Sequence, residues 1–286
     1  MENITDTLSA YDHANLEGVT NFDPDGIIAR ESTAACNREN FALCLSCMDY
    51  TSLDATDTEA SVSKKIAAAR EKSLAGGLPG VASACVFPRF ASVARRALSG
   101  SSIRTSVVGG GFPSGGTFLE VKRLECERAI AEGAEEVDVI IPVGLVLENN
   151  FQRVQEELLA LRESCAGAVM KVILETGELK EATPIFNATL LGAHAGADFV
   201  KTSTGKTPVG ATPAAVSVMC EALRQYRKQT GRKVGIKISG GITTPADAIL
   251  YLTIIRHELG AEYLTPRLFR IGASRLLDEL LKATKE

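Results

Sequence analysis

The sequence predicts an α/β protein of the (β/α)8 TIM barrel class with a short N-terminal extension. Eight short apolar or β-branched runs recur along the 286 residues, near 43–51, 81–88, 104–112, 136–143, 169–176, 198–204, 233–239 and 268–273. Ala-, Leu- and Glu-rich amphipathic stretches of helical length lie between them, the pattern of repeated βα units on a parallel sheet. The length suits one closed barrel around one core. An open doubly wound sheet is the alternative reading of the alternation, and eight units favour closure.

Residues 1–40 read as an extension of turns and short helix, with a turn signal at Asp23-Pro24-Asp25-Gly26, and residues 41–286 as the barrel domain. The first run, Leu43–Tyr50, is read as a strand, which puts Cys44 and Cys47 of a lone CxxC on opposite faces. With no second CxxC and no nearby histidine, buried free thiols are a better reading than a metal or redox pair. Seven cysteines in a chain this long do not suggest a secreted disulfide framework. The helix after the third run is expected to start at a capping box, Thr117-Phe118-Leu119-Glu120. Thr212-Pro213 and Thr244-Pro245-Ala246-Asp247 open the helices after the sixth and seventh runs, with proline at the first helical position. Gly133 and Gly196 mark helix ends.

Composition excludes several functions. Apolar residues make up 45% of the chain, too many for a disordered protein. A formal net charge of −4 with no basic cluster gives no field for nucleic acid. No stretch approaches the roughly 20 apolar residues that span a bilayer. The start, Met1-Glu2-Asn3-Ile4-Thr5-Asp6, lacks the basic and apolar parts of a signal peptide, so a cytoplasmic protein is expected. His13, His194 and His257 lie far apart without ligand spacing, and no metal site is expected.

Strands of a closed barrel are covered on both faces, so a charge within one needs a reason. The fourth run reads Glu136-Val137-Asp138-Val139-Ile140-Ile141, the sixth Asp198-Phe199-Val200-Lys201-Thr202, and the seventh Val234-Gly235-Ile236-Lys237-Ile238. Alternation turns the flanking aliphatic residues toward the helices and points Asp138, Lys201 and Lys237 inward. Each is expected toward the C-terminal end of its run, where barrel enzymes carry their chemistry. Two ammonium groups about 5 Å apart repel by about 3 kcal/mol at an effective dielectric of about 20. A buried structural ion pair does not require so costly a cluster, whereas catalysis uses it. A second cation and a desolvated pocket lower the pKa of a lysine and activate it toward a carbonyl. Asp138 and Lys237, directly or through water, are placed to relay protons. Lys171 competes as nucleophile; it also faces inward but sits early in its strand.

The last three strands end in Thr204-Gly205-Lys206, Ser239-Gly240-Gly241 and Gly272-Ala273-Ser274. Barrel loops after strands seven and eight often bind phosphate, glycines letting backbone N–H groups approach the anion. Lys206 and Arg275 add charge there, and Ser274 is expected either to cap the last helix, read as Arg275–Ala283, or to donate to phosphate. Any one glycine loop also admits the reading of a tight turn at a strand end; three beside two interior lysines favour a phosphorylated substrate.

These motifs together resemble the deoxyribose-phosphate aldolase family. The matching stretches are Glu136-Val137-Asp138-Val139, Lys171-Val172-Ile173-Leu174-Glu175-Thr176-Gly177-Glu178-Leu179, Ala197 to Lys206, Gly235-Ile236-Lys237 with Gly240-Gly241, and Phe269-Arg270-Ile271-Gly272-Ala273-Ser274; Met48-Asp49-Tyr50-Thr51 and Ala84-Cys85-Val86-Phe87-Pro88 match more weakly. The resemblance implies a lyase that reversibly cleaves 2-deoxy-D-ribose 5-phosphate to D-glyceraldehyde 3-phosphate and acetaldehyde, with no metal or organic cofactor. It implies Lys201 as the Schiff-base lysine, Lys237 as tuner of its pKa and Asp138 in proton transfer, with phosphate contacts on Gly205, Lys206, Gly240, Gly241, Gly272 and Ser274. Thr243 stands where many members carry a basic residue, and Arg275 is expected to take over part of that charge. The expected partner is a small phosphorylated sugar, with no nucleic acid and no membrane; a homo-oligomer, dimer or tetramer, is admitted. The rival readings are another Schiff-base aldolase or transaldolase acting on a different sugar phosphate, a phosphate-binding isomerase or synthase without a covalent step, and a non-catalytic binding protein.

Overall fold

A computed structural model describes residues 3–14, 16–21, 23 and 26–285. Its strands are β1 (Met48–Ser52), β2 (Ser83–Val86), β3 (Arg104–Gly109), β4 (Glu136–Ile140), β5 (Val169–Ile173), β6 (Phe199–Lys201), β7 (Gly235–Ser239) and β8 (Phe269–Ala273). Each pairs in parallel with the next, and β8 returns to β1, closing an eight-stranded barrel. All eight predicted runs overlap a strand, and the closed form prevails over the open sheet. Val137, Val139, Ile236 and Ile238 are fully buried and belong to one continuous apolar core, each contributing about 1.5–3 kcal/mol of transfer free energy.

The first run divides. Its beginning lies in the helix Arg38–Ser46, and the strand starts only at Met48. A short apolar run such as Phe41-Ala42-Leu43-Cys44-Leu45 fits either helix or strand. Asn37 favours the helix, its side chain accepting the Asn40 N–H at 3.0 Å. Cys44 is therefore on a helix rather than on a strand, with Cys47 just past its end. Both thiols are free and buried, and burial pushes their pKa values up, away from the reactive thiolate.

Helix starts follow the sequence signals with two exceptions. Thr212 Oγ1 accepts the Ala215 N–H, and Thr244 with Asp247 forms a reciprocal capping box. Gly133 and Gly196 take positive φ beyond the helices Leu119–Ala131 and Ala182–His194. The capping box at Thr117 does not form. Phe118 occupies the cap position without a side-chain bond, while the Thr117 methyl lies so close to Gly111 that a Cβ there would come within 2.9 Å of it. Nor does Ser274 cap the last helix: Leu276–Ala283 starts after Arg275 with no side-chain cap, leaving Ser274 exposed at the mouth of the barrel.

Ahead of β1, the helices Ile4–Ser9, Leu16–Thr20 and Ile27–Ala34 lie against the outer helices, burying Ile4, Leu8, Tyr11, Leu16 and Ile28. Polar contacts fix the arm. The Tyr11 hydroxyl is 2.9 Å from His194 Nε2, His13 Nε2 is 3.0 Å from Asn187 Oδ1, and the Gln225 amide brackets the backbone of Asp12. Burial lowers the pKa of His194 and keeps its ring neutral. His257 is exposed. Pro24 and Asp25 of the turn signal lie outside the described residues. Among the described residues no helix is long and apolar enough to cross a membrane.

Candidate active site

Strand register assembles the interior charges. Lys201, the last residue of β6, is level with Lys237 on β7, Lys237 with Arg270 on β8, and Asp138 on β4 with Lys171 on β5. Asp138 lies at the centre. Its Oδ2 is 2.9 Å from Lys201 Nζ and 2.7 Å from Lys237 Nζ, and its Oδ1 is 2.8 Å from Lys171 Nζ. Below this layer Glu136 pairs with Lys171 at 2.6 Å and with Arg270 at 2.9 Å. Asp49 takes Lys237 at 2.6 Å and also Arg270. All seven side chains are buried. Lys237 fits because Gly272 faces it: a Cβ there would come within 3.0 Å of Lys237 Cε.

Four cations, Lys171, Lys201, Lys237 and Arg270, thus meet three carboxylates, Asp49, Glu136 and Asp138, apart from the half-exposed Arg104 at 3.6 Å from Glu136. The cluster balances when one lysine is neutral, and the environment selects which. Burial lowers the pKa of Lys201; Asp138 opposes this, and Lys237 lowers it further. For Lys171 and Lys237 burial acts the same way but the carboxylates outweigh it, and both pKa values rise. Burial alone would raise Asp138; Lys171, Lys201 and Lys237 instead hold it well below the usual carboxylate range. Lys201 is therefore the amine most readily deprotonated, the form in which it is a nucleophile.

A cavity of about 420 Å³ opens above Lys201 at the C-terminal ends of the strands. Its wall includes Thr204, Gly205 and Lys206 after β6, Ser239, Gly240 and Gly241 after β7, and Gly272, Ser274 and Arg275 after β8. All six residues expected to contact phosphate line this one space. Gly240 is fixed by close backbone packing, since a Cβ on it would come within 2.8 Å of Gly210 Cα. Lys206 Nζ bonds the Leu53 carbonyl across the mouth, and Thr243 and Arg275 both reach the wall. Of the three inward charges read from the sequence, only Lys201 lines the cavity. Asp138 and Lys237 are each third of five in their strands, rather than near the end, and lie beneath it. Lys171, expected early in its strand, is likewise third of five and level with Asp138; bound by Glu136 and Asp138, it does not border the cavity.

Sequence reasoning missed Asp49, Glu136 and Arg270. For two of them the signal was present: Asp49 between Met48 and Tyr50 and Arg270 between Phe269 and Ile271 are charges inside a predicted strand, whereas Glu136 follows Glu135 at the start of its run and reads as a strand edge.

A closed parallel barrel with a polar cavity at the C-terminal ends of its strands is the architecture of a barrel enzyme. The chain belongs to the DeoC/LacD aldolase family, whose model matches residues 43–262. It is 38% identical over 247 residues to the deoxyribose-phosphate aldolase of Bos taurus, covering 82% of this chain and 78% of that one. To the enzyme of that name from Mus musculus it is 43% identical over 201 residues, spanning 70% of this chain and 63% of the mouse protein. Among solved structures, the tetrameric deoxyribose phosphate aldolase from Aeropyrum pernix superposes with a TM-score of 0.69 at 27% identity, over 91% of this chain and 97% of that one.

Proposed function

We propose that this aldolase cleaves 2-deoxy-D-ribose 5-phosphate reversibly to D-glyceraldehyde 3-phosphate and acetaldehyde, through a Schiff base on Lys201. The observation that carries the reading is a buried lysine of lowered pKa, hydrogen-bonded to Asp138, on the floor of a glycine-walled cavity. The neutral amine adds to the C1 carbonyl of the open-chain sugar, and the carbinolamine loses water to give an iminium. As the C3 hydroxyl gives up its proton, the C2–C3 bond breaks toward the iminium, leaving an enamine and releasing D-glyceraldehyde 3-phosphate. Protonation at C2 and hydrolysis return acetaldehyde and the free amine. Asp138 and Lys237, directly or through water, hold and return these protons, and Lys237 keeps the nucleophile's pKa down. Gly205, Lys206, Gly240, Gly241, Gly272 and Ser274 take the phosphate, with Arg275 supplying charge in place of a basic residue at Thr243.

Borohydride reduction in the presence of acetaldehyde, followed by peptide mass mapping, tests this reading. A reduced two-carbon adduct on Lys201 is expected; an adduct on Lys171 or Lys237 overturns the assignment. A reducing, cytoplasmic setting in deoxyribonucleotide breakdown belongs to the same proposal, supported by seven free thiols. So does self-association as a dimer or tetramer, supported by the exposed Phe118, Val121 and Leu124 at the cap and in the first turns of the helix Leu119–Ala131. Sedimentation velocity checks it, and a monomer at all concentrations would remove it.

A further inference from the structure

Glu175 takes no part in the chemistry above, yet its placement is costly. It follows β5 with φ +56°, a left-handed backbone that side chains other than glycine adopt only where the surroundings impose it. Backbone bonds on both sides hold it there: Leu174 N–H to the Lys201 carbonyl at 2.8 Å and Thr176 N–H to the Thr202 carbonyl at 2.9 Å. The carboxylate is buried, 3% exposed, and points under the loop that follows Lys201. It accepts the Thr204 N–H at 3.2 Å and the Thr204 hydroxyl, and shares the one proton of the Thr207 hydroxyl, 3.3 Å away, with the Val209 carbonyl at 3.2 Å from that oxygen. With its proton committed to Glu175, Thr204 Oγ1 turns a lone pair to the Lys206 N–H at 3.0 Å.

We infer that Glu175 is a positioning residue for substrate phosphate. It ties residues 204–207 into the shape that presents Gly205 and the Lys206 segment to the cavity, three residues from the nucleophile. Three donors converge on two carboxylate oxygens, an arrangement that a glutamine, with one oxygen and an NH2 group, cannot satisfy. The inference rests on the proposed reading of the cavity as a phosphate site.

The test compares kcat/KM for 2-deoxyribose 5-phosphate with that for unphosphorylated 2-deoxyribose, in wild type, Glu175→Gln and Thr207→Val. Rates are normalised to the fraction of chain that borohydride traps with acetaldehyde, so misfolded protein does not count. The phosphate preference is expected to fall about tenfold in Glu175→Gln, the loss of one charge-assisted hydrogen bond, and about threefold in Thr207→Val, which keeps the carboxylate. The loss should lie mainly in KM for the phosphorylated sugar. If Glu175→Gln does not fold, Thr207→Val decides. A wild type that prefers the phosphorylated sugar and variants that keep that preference overturn the role of Glu175. A wild type with no preference overturns the phosphate reading beneath it.

Discussion

Lys201 and Lys237 share a single carboxylate oxygen: Asp138 Oδ2 lies 2.9 Å from one Nζ and 2.7 Å from the other. Asp138 therefore stabilises charge on Lys201 while Lys237 disfavours it, and removing one or the other should move the pKa of Lys201 in opposite directions.

Lys237→Met removes the cation that lowers Lys201 and frees Asp138 to pair with it alone. Both changes raise the pKa of Lys201. The acid limb of the pH profile of kcat/KM should move to higher pH, with activity at neutral pH falling accordingly. A limb that stays in place would mean that Lys237 does not tune the nucleophile.

Asp138→Asn removes the group that raises Lys201, so the acid limb should move to lower pH. Loss of proton transfer should lower kcat by roughly 10²–10⁴-fold. Rapid borohydride trapping of the iminium separates the two effects, because Schiff-base formation at low pH should persist while turnover fails.

Arg270 supports the cluster from below, bonding Asp49 and Glu136. Arg270→Met leaves both carboxylates short of a partner in the interior. Breaking such a buried network from one side costs about 3–5 kcal/mol, to be read as a shift in the urea midpoint at constant slope.

Arg275 is exposed at the cavity wall, and Thr243 beside it carries no charge. Arg275→Ala should raise KM for the phosphorylated sugar severalfold, about 1 kcal/mol for a solvent-screened contact, with kcat little changed. Unchanged affinity would assign the phosphate charge elsewhere.

The N-terminal arm should be sensitive to acid. His194 has a lowered pKa in the docked state, while a released arm leaves it near the ordinary value of about 6.5. Its contribution is present above that value and is lost as pH falls through the docked one. Limited proteolysis should cut the arm faster at about pH 5.5 than at about pH 7.5, and His194→Gln should flatten the difference.

Much of the barrel was legible in the sequence because its strands are short and its lysines conspicuous. Val200 and Thr202 on either side of Lys201 assign a face without any structure. The helix at Cys44 was not legible, since a five-residue apolar run carries no period of its own; the Asn37 bond decides it. Glu175 was hidden for a different reason. Its partners lie 29 and 32 residues ahead, and a left-handed glutamate has no local signature. The docking of Tyr11 on His194 spans 183 residues and depends on helices that have first assembled around the barrel.

The contact of Gly210 with Gly240 is main chain against main chain, as is much of the contact of Gly177 with Val209, where a Cβ would come within 2.5 Å of the Val209 carbonyl oxygen. At Gly177, Gly210 and Gly240 this packing leaves no room for a side chain. Re-engineering of acceptor scope would therefore gain little by randomising these loops. Positions open to exchange lie at Thr51, Leu53 and Asp54 on the cavity wall, where a library can change what enters the barrel without disturbing this main-chain packing.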